Sequence, residues 1–369
     1  MVNSGSTSLK ATVLDVPTRR PVAARSVDRD ADGADAAADL DGLMSALIDD
    51  GLDLASIDVV GHRVVHGGER FLDPAVIDDQ VLADLDALAE LAPSHNPVAT
   101  ETIRAARRRL PRAPHVAAFD TAFHATLPDA RRHYPVPAGW EREHGIRRYG
   151  FHGLSVAWCV RRAGELLDRP PEALGLVVAH LGGGCSVSAV EGARSVATSM
   201  GMTPLEGLMM ATRAGSIDPG IIFRLLRHGL TPSDIERQLD RAAGLLTVGG
   251  TADMRDLLTR AATGEARAEL AIEMFVDRAA AGIAAVTTAL PRLDALVFSG
   301  GIGSGSAEVR SLICERLAAL RVPRPSAEGP PAPGSTDAVV ARGEGVSVLR
   351  IESREDLVIA EGALRMIGR

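Results

Sequence analysis

The sequence predicts an α/β fold made of two related halves, and three observations carry that prediction. Short apolar runs of strand length alternate with amphipathic stretches of helical spacing along the chain, the pattern of α/β proteins. Two turns rich in hydrogen-bond donors, each followed by an alternating strand, lie far apart at residues 3–10 and 180–190. At 369 residues the chain is long enough for two domains, each with its own core.

The elements follow in order. The chain opens on a strand, residues 1–13, that carries the first turn. Only two residues precede Asn3, a short lead-in that points to a natural start upstream. Residues 17–38, rich in Ala, Asp and Arg, read as an exposed excursion. Leu40, Leu43, Met44, Leu47 and Ile48 have helical spacing. A strand is expected at 57–60, ending in Gly61-His62-Arg63-Val64-Val65. Residues 81–91 form an amphipathic helix stopped by Pro93, and 97–110 a second with Arg104, Arg107, Arg108 and Arg109 on its solvated side. Residues 115–119 are a buried strand leading to Asp120, and 127–148 are proline-rich and irregular.

A helix opens after Tyr149-Gly150-Phe151-His152-Gly153 and runs to about 167. Residues 176–179 are a buried strand, Gly182-Gly183-Gly184 a tight turn, and Glu191-Gly192-Ala193 a hairpin tip. Residues 198–220 are mostly loop. Helices follow at 221–227, 233–244, 254–263 and 265–290. A strand at 293–298 ends in the glycine-rich 299–305, and a helix at 308–320 follows. Residues 322–337 read as a surface loop, 346–351 as a strand, and 353–366 as the last helix, with Ser353 as N-cap.

Composition narrows the function. A net charge of −8, with no basic tract and no aromatic platform, argues against nucleic acid as the main partner. Cys159, Cys185 and Cys314 are isolated, with neither disulfide nor zinc spacing, which fits a reducing compartment. No signal segment and no apolar run of ~18 residues predicts neither secretion nor a membrane span. The sole lysine, Lys10, sits in the first donor-rich turn.

Several residues invite chemistry. Without a Cβ, the glycines at 182–184 let backbone N–H groups approach a phosphate, while the plainer reading is a hairpin turn. The spacing of a P-loop is absent. Arg63 and Arg213 stand among glycine and apolar residues, where a guanidinium fork suits a carboxylate or phosphate, and equally a structural ion pair. Asp120 could act as a base, stand near a metal or cap a helix. His152 has too little bulk around it to be a simple core filler, although a lone histidine is commonly structural. His62, His66, His95, His124 and His180 have no metal-ligand spacing. Glu355 reads as a first-turn helix acid.

Together, residues 3–10, 61–71, 119–124, 149–153, 180–186, 198–219 and 299–303 resemble the signatures of the acetate and propionate kinase family, in order over nearly the whole chain. The resemblance implies a duplicated actin-like (ribonuclease H-like) ATPase fold, with two domains flanking a cleft. Residues 1–124 and 357–369 would form the N-terminal domain, and 125–356 the C-terminal nucleotide-binding and dimerisation domain. It implies a cytoplasmic homodimer that moves a phosphoryl group reversibly and in line from ATP to acetate, giving acetyl phosphate and ADP. Mg²⁺ is the implied metal, with Mn²⁺ as a substitute.

Carried over by motif, Asn3 and Glu355 hold the metal, and Lys10 lies near the nucleotide. Arg63 and Arg213 bind the carboxylate and the transferring phosphoryl group. Asp120 and His152 join them in catalysis. His180, Leu181, Gly182, Gly183 and Gly184 line the phosphates. Asp253, Met254 and Arg255, with Gly301, Ile302, Gly303, Ser304 and Gly305, surround the nucleoside. Val65, Phe151 and Pro204 line the acyl pocket. The chain departs from the family pattern where Gly183 replaces an asparagine, Ser304-Gly305 replace Glu-Asn, Ser216 replaces an aspartate, and Arg354-Glu355-Asp356 replace Asn-Glu-Glu. Ser94 replaces an apolar residue and could admit a larger or more polar acid. Propionate, butyrate, a pyrophosphate donor, and an actin-like nucleotide-binding module without transfer are the competing expectations.

Overall fold

The computed structural model describes residues 1–4, 8–28, 35–93, 95–325 and 336–369. The turn at 5–7, Ser94, and 326–335 of the expected surface loop lie outside the described residues. Contacts divide the chain into two units, Met1–Ala125 with Arg354–Arg369, and Thr126–Ser353.

Among the described residues, unit 1 holds six strands: β1 (Val2–Ser4), β2 (Ser8–Asp15), β3 (Arg20–Asp28), β4 (Val60–Val64), β5 (Ala75–Val76) and β6 (His115–Phe119). They form one sheet in the order β3-β2-β1-β4-β6-β5. β1, β4 and β6 run parallel, while β2, β3 and β5 are antiparallel to their neighbours. All five residues of β6 are buried, as a parallel strand covered on both faces should be. Helices Ala36–Asp49 and Asn96–Arg109 close one face over Leu9, Ala11, Leu40, Leu47, Val60 and Ala106. Asp35 starts the first of these helices by accepting from the N–H groups of Ala37 and Ala38. Helix Glu355–Met366, from the far end of the chain, packs on β4 and β6.

Two expectations change here. The excursion at 17–38 contains β3, paired with β2 over nearly all its length. As an exposed edge strand it lacks the apolar alternation that marks a half-buried one. The strand expected at 57–60 begins where it was expected to end, because parallel pairing with β6 starts at Val60. Arg63 therefore lies within a central strand. Period-two alternation then sends Val60 toward the helix pair and Gly61 toward helix Glu355–Met366. A Cβ on Gly61 would lie 2.5 Å from Ile359 Cγ2, so glycine lets that helix approach closely.

Unit 2 holds β7 (Gly175–Leu181), β8 (Cys185–Glu191), β9 (Arg194–Thr198), β10 (Ala295–Ser299), β11 (Ala338–Arg342) and β12 (Ser347–Arg350). Their order is β11-β12-β10-β7-β8-β9. Read from the other edge, it repeats unit 1 strand for strand, with the same parallel and antiparallel partners. The chain is thus a duplicated α/β fold. Helix Gly153–Leu167 packs on β7 and β10, and helix Ala266–Thr287 on β7 and β8.

Further differences are local. β11 was not expected, since none of its residues is fully buried. The glycine-rich stretch after β10 is a short helix, Gly300–Gly305. A second short helix, Gly244–Gly249, follows Pro232–Arg241. Arg354, not Ser353, stands at the N-cap of the last helix, and no side chain caps it.

The Gly61–Ile359 packing gives a test. Gly61→Ala is expected to cost ~1–3 kcal/mol by overpacking, and Ile359→Ala ~2–5 kcal/mol by truncation. Because the two positions touch, the double variant should lose less than the two single losses combined, measured by urea unfolding. Simple additivity would contradict the packing described.

Candidate active site

In unit 1 the strand register builds the site. Lys10 on β2, Asn3 on β1 and Arg63 on β4 are successive cross-strand partners, so they share one row and one face of the sheet. Asp120 follows β6 directly and is buried. Arg63 Nε donates to Asp120 Oδ1 at 2.8 Å, and Nη2 donates to Oδ2 at 2.5 Å. This side-on fork leaves Nη1, which donates to Asn3 Oδ1 at 3.3 Å. Glu355, the first residue of its helix, places Oε2 3.7 Å from Arg63 Nε.

The electrostatics follow from burial. Burial works against the Arg63 charge, but the Asp120 and Glu355 carboxylates outweigh it and raise the guanidinium pKa. Burial is also the main force on Glu355, raising its pKa, with Asp120 and Asp356 pushing the same way and Arg63 opposing. Val65, beyond β4, is buried.

The second site lies within unit 2. His152, at φ 58°, stands at the N-cap of helix Gly153–Leu167. Its Nδ1 is 3.0 Å from Ser186 Oγ, and its ring stacks on His180 with centroids 4.2 Å apart. Ser186 and His180 are cross-strand partners on β8 and β7. Arg213 Nε donates to Asp240 Oδ1 at 2.5 Å. The Arg213 loop is held by its backbone: Met210 N–H donates to the Arg213 carbonyl, and Ala243 N–H to that of Thr212. Gly184 leaves room for both side chains beside the turn. A Cβ there would stand 3.2 Å from His152 Nε2 and 3.8 Å from Arg213 Nη1.

Beside this cluster lies a cavity of about 1010 Å³ lined by Gly182, Gly183, Asp253, Met254, Arg255, Gly301, Ile302 and Gly305, among others. A side chain at Gly183, Gly301 or Gly305 would meet nothing within 4 Å, so these glycines open onto free space. The Gly182 N–H donates to the Gly184 carbonyl, and the Cys185 thiol donates to the Gly182 carbonyl, fixing the turn. Burial pushes the Cys185 thiol up to about 12, so it is not a reactive thiolate. Asp253 caps helix Met254–Ala261, and its bonds from Arg255 hold its carboxyl down at about 2.

Other residues named from the sequence are placed differently. Leu181 is fully buried, so only its backbone can serve a ligand. Gly303 is buried, and the Ser304 hydroxyl folds back onto the Gly300 carbonyl. Phe151 is buried and Pro204 half-buried. The Pro204 loop is pinned by Arg148, which donates to the Met200 carbonyl and to Glu206, itself bonded to Tyr134. Unit 1 gathers Asn3, Arg63, Asp120 and Glu355; unit 2 gathers His152, His180, Gly184 and Arg213.

Sequence reasoning missed Asp240, Ser155 and Arg310. Asp240 reads only as a polar residue on a helix. Ser155 Oγ lies 2.8 Å from His180 Nδ1. Arg310 is fully buried and donates to the Gly303 and Ser304 carbonyls, closing the end of the short helix that borders the cavity. An arginine four residues beyond Ser306 carries no local signal of that role.

The sequence model of the acetokinase family matches residues 22–361. The acetate kinase of Synechococcus sp. is 48% identical over 314 residues, covering 85% of this chain and 77% of that protein. The acetate kinase of Leifsonia xyli subsp. xyli is 41% identical over 390 residues, covering 100% and 98%. The solved propionate kinase of Francisella tularensis subsp. tularensis superposes with a TM-score of 0.86 at 32% identity, covering 99% of this chain and 98% of that one.

The Arg213–Asp240 bond yields a second test. Asp240→Ala frees the guanidinium to swing, and a misplacement of that kind is expected to lower kcat by about tenfold or more. Unchanged kcat in a folded variant would show that Asp240 does not aim Arg213.

Proposed function

The chain belongs to the acetokinase family, and from that premise we propose that it moves a phosphoryl group from ATP to acetate, with Arg63 and Arg213 acting on the same transferring group. The γ-phosphorus–oxygen bond to ADP breaks as a carboxylate oxygen bonds to phosphorus. Acetyl phosphate and ADP result, and the reverse reaction uses the same groups.

One observation carries this reading. Each of two largely buried arginines is aimed by a carboxylate that takes its Nε edge, and in each the Nη1 end is directed elsewhere: toward Asn3 in one, toward Gly184 in the other. A short-chain acid is already ionised at pH 7, so it needs no strong base. It needs alignment, and relief from repulsion by a polyanion. Arg63, Arg213 and His152 supply preorganised donors to the equatorial oxygens of an in-line transition state. Asp120 holds Arg63 in place and takes no proton from the acid. Gly182, Gly183 and Gly301 line a cavity open enough for a nucleotide.

Asn3 and Glu355 offer oxygen donors, the kind Mg²⁺ prefers. Among the described residues no group of three or more His, Cys, Asp or Glu side chains could hold a metal. Mg²⁺ is commonly held by one or two protein oxygens and otherwise by water and phosphate. When bound, Mg²⁺ would neutralise phosphate charge.

A homodimer is part of the proposal. Helix Pro219–Arg227 buries none of its residues and leaves Ile221, Phe223 and Leu226 exposed, a face that a second copy could cover. A cytoplasmic site is likewise proposed; no described helix is long and apolar enough to cross a membrane. Propionate is the second reading for the acceptor, favoured by the likeness to a solved propionate kinase. A nucleotide-binding module without transfer is disfavoured, because it would not need Arg63, Asp120, His152 and Arg213 together.

A hydroxamate assay with ATP, Mg²⁺ and acids from formate to butyrate tests the reading. Acetate should give acyl phosphate, and Arg63→Ala and Arg213→Ala should each lower kcat by on the order of a hundredfold. Near-normal turnover in Arg213→Ala would reject its role. No product with any acid, beside measurable ATP binding, would favour the binding module.

A further inference from the structure

The histidine pair is held from one side by a line of hydroxyls. Helix Gly153–Leu167 carries His152 at its N-cap and Ser155 in its first turn. Ser353 Oγ donates to Ser155 Oγ at 2.9 Å, and Ser155 Oγ lies 2.8 Å from His180 Nδ1. His180 then stacks on His152 at an interplanar angle of 26°. Ser155 is fully buried. Ser353 is itself anchored through its neighbour, since Trp158 Nε1 donates to the Glu352 carbonyl and Glu352 N–H donates to Asp337 Oδ1.

The direction of the hydrogen bonds matters. A hydroxyl has one hydrogen to give. With Ser353 donating to it, Ser155 still has its own hydrogen to offer His180 Nδ1, a bond that requires the ring proton on Nε2. Losing that bond removes one restraint on the His180 ring about χ2, where the torsional wells are broad. Its stacked neighbour would lose a fixed wall.

We propose that Ser155 and Ser353 are positioning residues: they set the tautomer and plane of His180, and through the stack they hold the His152 ring where it serves the transferring group. The proposal rests on the phosphoryl-transfer reading for the role of His152. It also gives residues 352–355 two duties. Ser353 anchors the histidine pair, and Glu355, two residues on, faces Arg63. One short segment thus carries an anchor for each group of catalytic side chains.

The test uses the full chain as wild type, Ser155→Ala, Ser353→Ala and Ser353→Thr. Nitrogen-15 NMR of the histidines, without substrate, should show His180 protonated at Nε2 in the wild type and a mixed tautomer in both alanine variants. In the hydroxamate assay both alanine variants should lose about tenfold in kcat, with KM for ATP and acetate within about twofold. Ser353→Thr keeps the hydroxyl and should retain the wild-type signature and rate. If Ser155→Ala does not fold, Ser353→Ala, at a less buried position, carries the test. An unchanged tautomer with unchanged kcat in the alanine variants would overturn the proposal. A wild type that makes no acyl phosphate would sink the functional reading instead, and the NMR signature would still decide whether the hydroxyls set the ring.

Discussion

A guanidinium on a central strand is the constraint on which unit 1 depends. Arg63 sits on β4, between strands that cover its backbone on both sides, with its side chain mostly withdrawn from water. A charge in that place must be paired, and removing one partner of such a pair typically costs about 3–5 kcal/mol. Its partners come from β1, from the end of β6 and from the last helix, so segments distant in sequence must meet at one point. The glycine before it on the same face, Gly61, admits the helix that brings Glu355. Satisfying one charge therefore draws the C-terminal segment back into the first unit.

Unit 2 repeats the sheet but uses the repeat differently. The antiparallel pair β1 and β2 corresponds to β7 and β8, which the glycine turn joins. Around the glycine turn stand a stacked histidine pair and an arginine aimed by Asp240. In both units a carboxylate takes the Nε edge of an arginine and fixes its direction. The duplication supplies two scaffolds of one design that hold different side chains.

Much of this was legible in the sequence because the strands of the core are short apolar runs and the unusual residues cluster at their ends. The glycines at 182–184, the 149–153 segment and Asp120 after a buried strand all stood out for that reason. What was hidden depended on pairing. β3 and β11 are edge strands, and neither carries the apolar alternation that marks a half-buried strand. Asp240 and Ser155 gain meaning only when the fold sets them against Arg213 and His180. Ser353 read as a helix cap, and its hydroxyl is spent instead on Ser155. Local sequence reports propensity, whereas these roles are tertiary.

The central claim is that Arg63, Arg213 and His152 serve one phosphoryl group. The most direct measurement is a crystal structure with ADP, Mg²⁺, acetate and aluminium fluoride, whose planar form stands in for the phosphoryl group in flight. The account predicts that both guanidinium groups and the imidazole lie within hydrogen-bond reach of the same fluoride plane, with a carboxylate oxygen in line. Guanidinium groups that stay apart, with either one bonded to no part of that plane, would contradict it.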